Sequence, residues 1–287
     1  MTQLASTYSS RRRKRKKKPS RSGLAYLLMA LAAVVVLTAF ALNKQSLRHR
    51  NVAAPPAPPR DLMAVLVPDD LNEIKADYSG FSLSFNSAHR VPNYVVWELT
   101  REKAQGTEPR KSEFHPDPDV YGCPSLADYR NSGFDRGHMA PAADMKWSAR
   151  AMYDSHVLTN ICPQEKSINT GRWNSIEKLE RKWALRDSAL IIIAGPVLSD
   201  ELTRTIGKGV SVPERFFKVI LAPYADPPRA IAFIVPNSPT QLGVQQLAAT
   251  VDEVEALTGF DFFSALPDDI ENQVESSSNF NLWQRTR

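Results

Sequence analysis

The stretch Gly-Phe-Asp-Arg-Gly-His-Met-Ala-Pro, residues 133–141, places an acid, a base, a glycine and a histidine side by side. The imidazole of His138 can accept a proton from water near neutral pH, and the guanidinium of Arg136 can hold an anionic oxygen. Gly137 permits backbone angles that other residues resist, or the close approach of another group. Taken alone, the stretch is more typical of a charged loop with a solvated histidine, so its interpretation depends on the residues further along the chain.

Two further polar blocks lie C-terminal to this stretch. The first, Thr-Asn-Ile-Cys-Pro-Gln at residues 159–164, comes about twenty residues after the histidine, and it is followed by Asn169, Trp173, Glu177 and Arg181. Positions four residues apart share one slowly drifting face of a helix. The side chains of Asn169, Glu177 and Arg181 are therefore predicted to lie near one side of a cleft.

With these three blocks in order, the chain resembles the DNA/RNA non-specific endonucleases, the endonuclease G-like group with the ββα-metal motif. The family pattern is an Asp-Arg-Gly-His box, an Asn-Ile-x-Pro-Gln strand end and an Asn-x3-Trp-x3-Glu helix, and the resemblance runs from about Tyr78 to about Glu275. Several blocks at fixed spacing are more specific than any single motif. The resemblance implies an α+β fold, with a central, mostly antiparallel β-sheet flanked by helices and containing a ββα-metal motif.

The resemblance also implies a role for each matched residue. His138 is predicted to be the general base, and Asn169 the ligand of a hydrated Mg²⁺, with Mn²⁺ as an alternative; a hard amide oxygen suits such an ion. Glu177 is predicted to orient a metal-bound water. Asp135 is expected to support the site and Arg136 to contact phosphate. The predicted catalytic residues are His138, Arg136, Asn160, Glu177 and Arg181, and the predicted substrate-binding residues are Arg110 and Asp135.

Each assignment has a purely structural alternative. Asn169 is also in place to cap a helix N-terminus, and Glu177 to form an i, i+4 ion pair with Arg181. Asn160, expected to position the general base or a substrate oxygen, is equally placed to bond to backbone at a strand end. His156 has no such neighbours in sequence and is predicted to be a packing residue.

The family carries a phosphate-binding arginine upstream of the box. Arg110, which precedes Phe114 and Asp117, is the match in this sequence, and Lys111 is the alternative. Cys123 and Cys162, whose pairing the sequence leaves open, flank the predicted site.

Composition separates the N-terminal region from the rest of the chain. Residues 1–50 hold 12 Lys/Arg and no acid, whereas residues 51–287 hold 24 bases and 31 acids. Residues 101–186, which contain all the motifs, carry a net charge of +2, and residues 187–287 carry −6. An acidic domain argues against tight nucleic-acid binding. It is compatible with turnover at a cleft of a few arginines, with modest affinity and strong salt sensitivity.

The N-terminal region has the pattern of a membrane anchor. Arg11–Lys18 is a run of eight bases, and residues 23–42 are uncharged and apolar, long enough as a helix to cross a bilayer core of roughly 30 Å. The basic flank predicts a cytoplasmic N-terminus. We predict four segments: a disordered basic tail at 1–22, one transmembrane helix at 23–42, a Pro-rich linker at 43–60 and an extracytoplasmic nuclease domain at 61–287.

Two other targeting interpretations remain open. Ala39-Phe40-Ala41 resembles a signal-peptidase site, which would give a secreted protein. An acid-free leader rich in Arg and Ser also resembles a mitochondrial transit peptide, and some members of the family are mitochondrial.

Apolar patterns predict the main elements of the domain. Residues 81–85 and 94–100 are predicted to form a hairpin, and buried strands are predicted at 190–194, 216–221 and 230–235. A short helix at 148–154 is predicted to lead into a strand at 155–161, and further helices are predicted at 169–186 and 244–257, the last capped by Gly259. Phe262 and Phe263 are expected to plug the core.

The function implied by the resemblance is a membrane-anchored, Mg²⁺-dependent, sugar-non-specific endonuclease that cuts DNA and RNA to leave 5′-phosphate ends. One alternative is a catalytically weak nucleic-acid receptor or DNA-uptake component displayed on the membrane. Another keeps the fold but acts on small nucleotides or lipids. The sequence leaves the oligomeric state open, a dimer included.

Overall fold

The computed structural model describes residues 60–110, 113–199 and 204–284. The predicted basic tail, the predicted membrane anchor and the linker up to residue 59 lie outside this range. Among the described residues, no helix has both the length and the apolar character needed to span a membrane.

A seven-stranded sheet forms the centre of the described domain, and its strands follow the order β12-β11-β10-β7-β4-β3-β2. All its neighbouring strands pair antiparallel, as the sequence predicted. The strands of this sheet are β2 (Ile74–Asp77), β3 (Ser82–Asn86), β4 (Val91–Thr100), β7 (Ala189–Pro196), β10 (Arg215–Ala222), β11 (Arg229–Pro236) and β12 (Ala248–Ala249).

Short strand pairs and helices surround this sheet. The paired strands are β1 (Val65–Leu66) with β13 (Asp261–Phe262), β5 (Asp135–His138) with β6 (Ile161–Gln164), and β8 (Thr205–Ile206) with β9 (Val210–Ser211). The α-helices are α1 (Arg101–Ala104), α2 (Leu126–Tyr129), α3 (Ala149–Asp154), α4 (Asn174–Asp187), α5 (Val251–Thr258), α6 (Asp268–Glu275) and α7 (Phe280–Gln284). Short 3₁₀ turns lie at Arg60–Met63, Ala142–Met145, Leu158–Asn160 and Val244–Leu247, and a wider π-type turn, Ile168–Trp173, leads into α4.

The two faces of the sheet carry different helices. Side chains alternate along a strand, and in β10 Phe216 and Ile220 belong to the hydrophobic core that contains Trp183 of α4. Phe217 and Val219, between them, belong to the core on the other face, which contains Val254 of α5 and Val274 of α6. Helix α4 therefore covers one face of the sheet, and α5 and α6 cover the opposite face.

Most predicted elements are confirmed. The hairpin forms as β3 and β4, and the three buried strands appear as β7, β10 and β11. The predicted short helix is α3, with Ser148 as its N-cap. Gly259 ends α5 at φ +71°, the left-handed conformation that favours glycine. Phe262 and Phe263 are fully buried.

Two predicted elements are wrong in detail. Residues 155–160 form turns rather than a strand, because the Asn160 side chain bonds to the main chain of Ala140 and Ser155. The predicted helix at 244–257 is interrupted by Ala248–Ala249, which pair with β11. The α-helix begins only after Thr250, whose hydroxyl caps Glu253 N.

Candidate active site

The β5–β6 pair and the helix C-terminal to it position the predicted histidine. His138 lies at the end of β5 opposite Ile161, and its carbonyl accepts a hydrogen bond of 3.1 Å from Nε1 of the buried Trp173. A Cβ on Gly137 would come within 2.3 Å of Gln164 Oε1. This position therefore requires glycine because the Gln164 side chain packs directly over it.

The imidazole of His138 is buried among aromatic rings. It is 7% exposed, its ring centroid lies 5.3 Å from that of Phe114, and His156 packs edge-on at 5.1 Å. Burial lowers the pKa of His138 well below its usual range, and His156 and Arg110 lower it further. The ring is therefore neutral at pH 7, and its Nε2 has no hydrogen-bond partner among the described residues.

Asn169 lies in the π-type turn that leads into α4. Its Nδ2 donates a hydrogen bond of 3.0 Å to Asp135 Oδ2, so the amide nitrogen is committed to Asp135. The amide oxygen, which is the atom that binds hard cations, is not needed for this contact. Asp135 thus fixes the orientation of the Asn169 amide.

Glu177 lies two turns further along, on the side of α4 that faces the same cleft. Burial raises the pKa of Glu177 to about 7, although the positive charge of Lys218 partly offsets the shift. A carboxyl group with such a pKa exchanges protons near neutral pH.

Arg181 pairs with an acid that the sequence did not indicate. Its guanidinium donates a bond of 2.7 Å to Asp144 Oδ1, while Asp144 Oδ2 accepts a bond of 3.1 Å from the indole of Trp97. The carboxylate is fully buried, so Trp97 and Asp144 together hold the arginine in a fixed orientation.

One cleft of about 310 Å³ brings most of the predicted residues together. Its lining contains Arg110, His138, Asn169, Glu177 and Arg181, with Pro141, Ala142, Ala143, Thr170 and Asn174. The upstream match Arg110 is therefore on this cleft, whereas its alternative Lys111 lies outside the described residues.

The other three predicted residues support the cleft from behind or beside it. Asp135 contacts Asn169 as described, and the exposed Arg136 stacks its guanidinium 4.4 Å from the ring centroid of Phe114. Asn160 is fully buried. Its amide makes three hydrogen bonds of 2.9 Å to main-chain atoms, which places it in the role of holding the backbone just beyond His138.

Sequence reasoning missed several residues that shape the site. Asp144 and Phe114 contact Arg181 and His138 respectively, and His156, predicted to pack in a strand, packs against His138 itself. Beneath Glu177 lies a fully buried ion pair of 3.0 Å between Lys218 and Glu180. No local pattern in the sequence signals these contacts, because they join distant parts of the chain.

Cys123 and Cys162 are both free. Cys162 is fully buried, and burial raises the pKa of its thiol well above the usual range. The Cys123 sulfur instead accepts a hydrogen bond of 3.2 Å from Asp117 N.

The cleft has the donors that a hard divalent cation requires. The amide oxygen of Asn169 and the carboxylate of Glu177 are both oxygen ligands of the kind that Mg²⁺ prefers, and the Asn169 nitrogen is already held by Asp135. These residues therefore fit a hydrated ion held by few protein ligands.

A neutral imidazole, a carboxyl group, an amide and two guanidinium groups around one cleft are suited to the hydrolysis of a phosphate ester. The family model described as DNA/RNA non-specific endonuclease matches residues 59–269, and the chain belongs to this family of nucleases. The match begins at residue 59, before the expected start near Tyr78, and ends at residue 269, before the expected end near Glu275.

Curated and solved relatives agree with this assignment. "Nuclease EXOG, mitochondrial" of Danio rerio is 37% identical over 210 residues, covering 66% of this chain and 60% of that protein. A protein named "Nuclease" from Nostoc sp. is 31% identical over 229 residues, covering 74% of this chain and 80% of the relative. The solved structure titled "Crystal structure of the EndoG/EndoGI complex: Mechanism of EndoG inhibition" matches with a TM-score of 0.61 and 26% identity, covering 67% of this chain and 86% of that chain.

The match to the EXOG proteins is partial with respect to their length. The chain spans 56% to 60% of the EXOG relatives from zebrafish, mouse, human and Xenopus laevis.

Proposed function

We propose that this chain is a sugar-non-specific endonuclease that hydrolyses phosphodiester bonds of DNA and RNA and leaves 5′-phosphate ends. The observation that carries the proposal is the cleft itself, whose lining brings together His138, Asn169 and Glu177 with Arg110 and Arg181. Side chains of this cleft would contact the phosphate and sugar of a nucleic acid rather than its base edges, which favours low sequence specificity.

His138 is proposed to act as the general base. Because its pKa lies well below its usual range, the imidazole is neutral and ready to accept a proton at pH 7. The unpartnered Nε2 is the atom available to take that proton from an attacking water. Trp173 and Asn160 restrain the main chain at His138 and just beyond it, so the base is held in a fixed position.

The arginines are proposed to neutralise the phosphate. Arg181 uses one nitrogen on Asp144, and its other donors are proposed to hold a phosphoryl oxygen or the leaving oxygen. Arg110 also lines the cleft. Fixed guanidinium groups stabilise charge that develops in the transition state without further reorganisation.

We propose that β5, β6 and α4 form the ββα-metal unit, in which Asn169 would hold a hydrated Mg²⁺ and Glu177 would orient one of its water ligands. When bound, Mg²⁺ would supply charge stabilisation to the scissile phosphate and the leaving 3′ oxygen. Asp135 orients the amide of Asn169 for this role.

Digestion of plasmid DNA and of RNA by the full chain tests the proposal. With Mg²⁺ both polymers should be cut, and EDTA should stop the reaction. His138→Ala should lower the rate by about 10²–10⁴-fold, the usual contribution of a general base. His89→Ala is the matched control: His89 bonds to Ser211 outside the cleft, and its loss should leave the rate within about twofold. Cutting by His138→Ala at the wild-type rate would remove the proposed mechanism.

Two competing functions predict different experimental results. Filter binding of DNA without turnover in Mg²⁺ would favour a nucleic-acid receptor. Cleavage of dinucleotides or phospholipids in preference to polymers would favour a phosphodiesterase for small substrates.

The localisation proposal rests on the sequence and on the names of relatives. The run of eight bases before twenty uncharged residues supports a single-pass anchor with the catalytic domain on the far side of the membrane. The names of the EXOG relatives include "mitochondrial", which supports the mitochondrial alternative. Fractionation of cells that express the full chain separates the two, since an integral anchor resists alkaline carbonate extraction. Release of the chain by carbonate would reject the anchor.

A further inference from the structure

A group of acidic side chains lies on the face of the sheet opposite the active site. Asp252 and Glu255 belong to α5 and Glu275 to α6, and each offers a carboxylate oxygen within 4.8 Å of the other two. Helices α5 and α6 pack on the β10 side chains that point away from α4. This acidic cluster is therefore separate from the cleft of the proposed nuclease site, and Glu275 lies beyond the residues that the family model matches.

The buried member of the cluster has an unsatisfied oxygen. Glu275 is only 7% exposed, and its Oε1 has no hydrogen-bond partner among the described residues. A buried carboxylate without a partner costs considerable free energy. Glu255 is better satisfied, because its Oε1 accepts a bond of 2.9 Å from Phe262 N.

The charged groups that act most strongly on Glu275 are all acidic. Glu271 and Asp261 add two further carboxylates to the three of the cluster, and burial together with these acids raises the pKa of Glu275 to about 8. No lysine or arginine of the described residues forms an ion pair with any of the five. A bound cation would neutralise the mutual repulsion of these carboxylates.

We propose that Asp252, Glu255 and Glu275 bind a hard divalent cation, best matched by Ca²⁺, which ties α5 to α6. Carboxylate oxygens are the ligands that such ions prefer. Oxygens at about 2.3–2.6 Å from Ca²⁺ lie up to about 5 Å apart across the ion, whereas around Mg²⁺, at about 2.1 Å, they lie at most about 4 Å apart. The three oxygens lie within 4.8 Å of one another, a separation that ligands across a Ca²⁺ ion reach.

Thermal unfolding of the full chain tests this proposal. In EDTA at about pH 9, above the pKa of about 8 of Glu275, Glu275→Gln should unfold at a higher temperature than the wild type, because it removes one repelling charge. Adding Ca²⁺ at about 100 times its Kd should raise the Tm of the wild type by about 5 °C and that of Glu275→Gln by less than about 1 °C. These opposite responses distinguish a cation site from ordinary surface acidity.

Two further variants make the test specific. Asp252→Asn removes an exposed ligand and should also lose the Ca²⁺ response, which covers the case in which Glu275→Gln fails to fold. Asp269→Asn removes an exposed acid from the same helix, α6, and should keep the full response. Equal Ca²⁺ responses in the wild type and both cluster variants would overturn the proposal. In an Asn169→Ala background, which lacks the proposed metal ligand of the cleft, a response to Mg²⁺ equal to that to Ca²⁺ would overturn the assignment of Ca²⁺.

Direct binding and activity separate this site from the active site. In an Asn169→Ala background, equilibrium dialysis with radiolabelled calcium should retain one ion per chain, and the added change Glu275→Gln should abolish it. Glu275→Gln alone should retain wild-type digestion of plasmid DNA with Mg²⁺. Retention of the ion by the Asn169→Ala, Glu275→Gln chain would contradict the proposed ligands. The result does not depend on whether the chain cuts nucleic acids.

Discussion

The negative charge of the buried Glu177 destabilises the folded state, but the proposed nuclease reaction needs it. Its pKa is raised from about 4.5 to about 7 by burial, so the folded state holds this proton more tightly than the unfolded state does. The corresponding stability is fully present below about pH 4.5 and is lost as the pH rises through about 7.

The variant Glu177→Gln mimics the protonated form and should keep that stability at every pH. In EDTA, its free energy of unfolding should match that of the wild type near pH 4.5 and exceed it by about 3 kcal/mol at pH 8, while digestion of DNA is lost. Urea unfolding at several pH values measures the difference. A difference that does not change with pH would contradict the raised pKa.

Asp135 should act on the metal through Asn169. Replacing it with asparagine weakens the acceptor for Asn169 Nδ2, and partners of this kind change metal affinity by about 10–100-fold. The variant Asp135→Asn should therefore need a higher Mg²⁺ concentration for half-maximal activity, with the rate largely recovered at saturation. Asp119→Asn, an exposed acid nearby in sequence, should leave the Mg²⁺ requirement unchanged. A lower rate at saturating Mg²⁺ with no change in requirement would contradict this role.

The residues of the cleft could be predicted from the sequence, but their partners could not. His138, Asn169, Glu177 and Arg181 lie in compact blocks whose spacing a helix or a strand pair converts directly into proximity. Asp144 contacts Arg181 across 37 positions, and no periodic pattern signals such a contact.

At the scale of elements, α4 is joined to the sheet by a buried charge as well as by apolar packing. Lys218 of β10 and Glu180 of α4 are both fully buried at 3.0 Å. The Lys218 ammonium also lies 4.7 Å from the ring centroid of Trp173 and 5.2 Å from that of Trp97. This group fixes the helix that presents Glu177.

Removing one partner of this pair should be far worse than removing both. Lys218→Met leaves Glu180 buried and unpaired, which should cost about 3–5 kcal/mol. The double variant Lys218→Met, Glu180→Leu replaces the pair by apolar groups and should recover most of that loss. Urea unfolding measures both. The surface pair Lys75–Glu73 is the control, and Lys75→Met should cost less than about 1 kcal/mol. Equal losses in the single and double Lys218 variants would show that the ion pair is not the cause.

The local sequence pattern predicted the strands that are buried along their whole length. It gave the wrong element where pairing with a distant strand decides the structure. β7 is buried along its whole length, so its continuous apolar run was sufficient evidence. Ala248 and Ala249 fit a helix by pattern, yet they pair with Phe233 and Ala232 of β11. The edge of a sheet provides hydrogen-bond partners that the local sequence does not reveal.

At the scale of the whole molecule, the excess of positive over negative charge lies outside the domain that carries the cleft. Residues 11–18 hold eight bases, whereas residues 187–287 carry a net −6. DNA binding without cleavage can be measured with the His138→Ala variant in EDTA. For residues 55–287, a compact unit, the logarithm of the binding constant should fall with the logarithm of the salt concentration with a slope of about −3. Three arginines, Arg110, Arg136 and Arg181, each contribute about −0.9 to this slope. The full chain should give a slope steeper by several units, and the full chain with residues 11–18 changed to glutamine should return to about −3. A slope near zero for the 55–287 unit would show that these arginines do not hold phosphate, because released counterions are the source of the salt dependence.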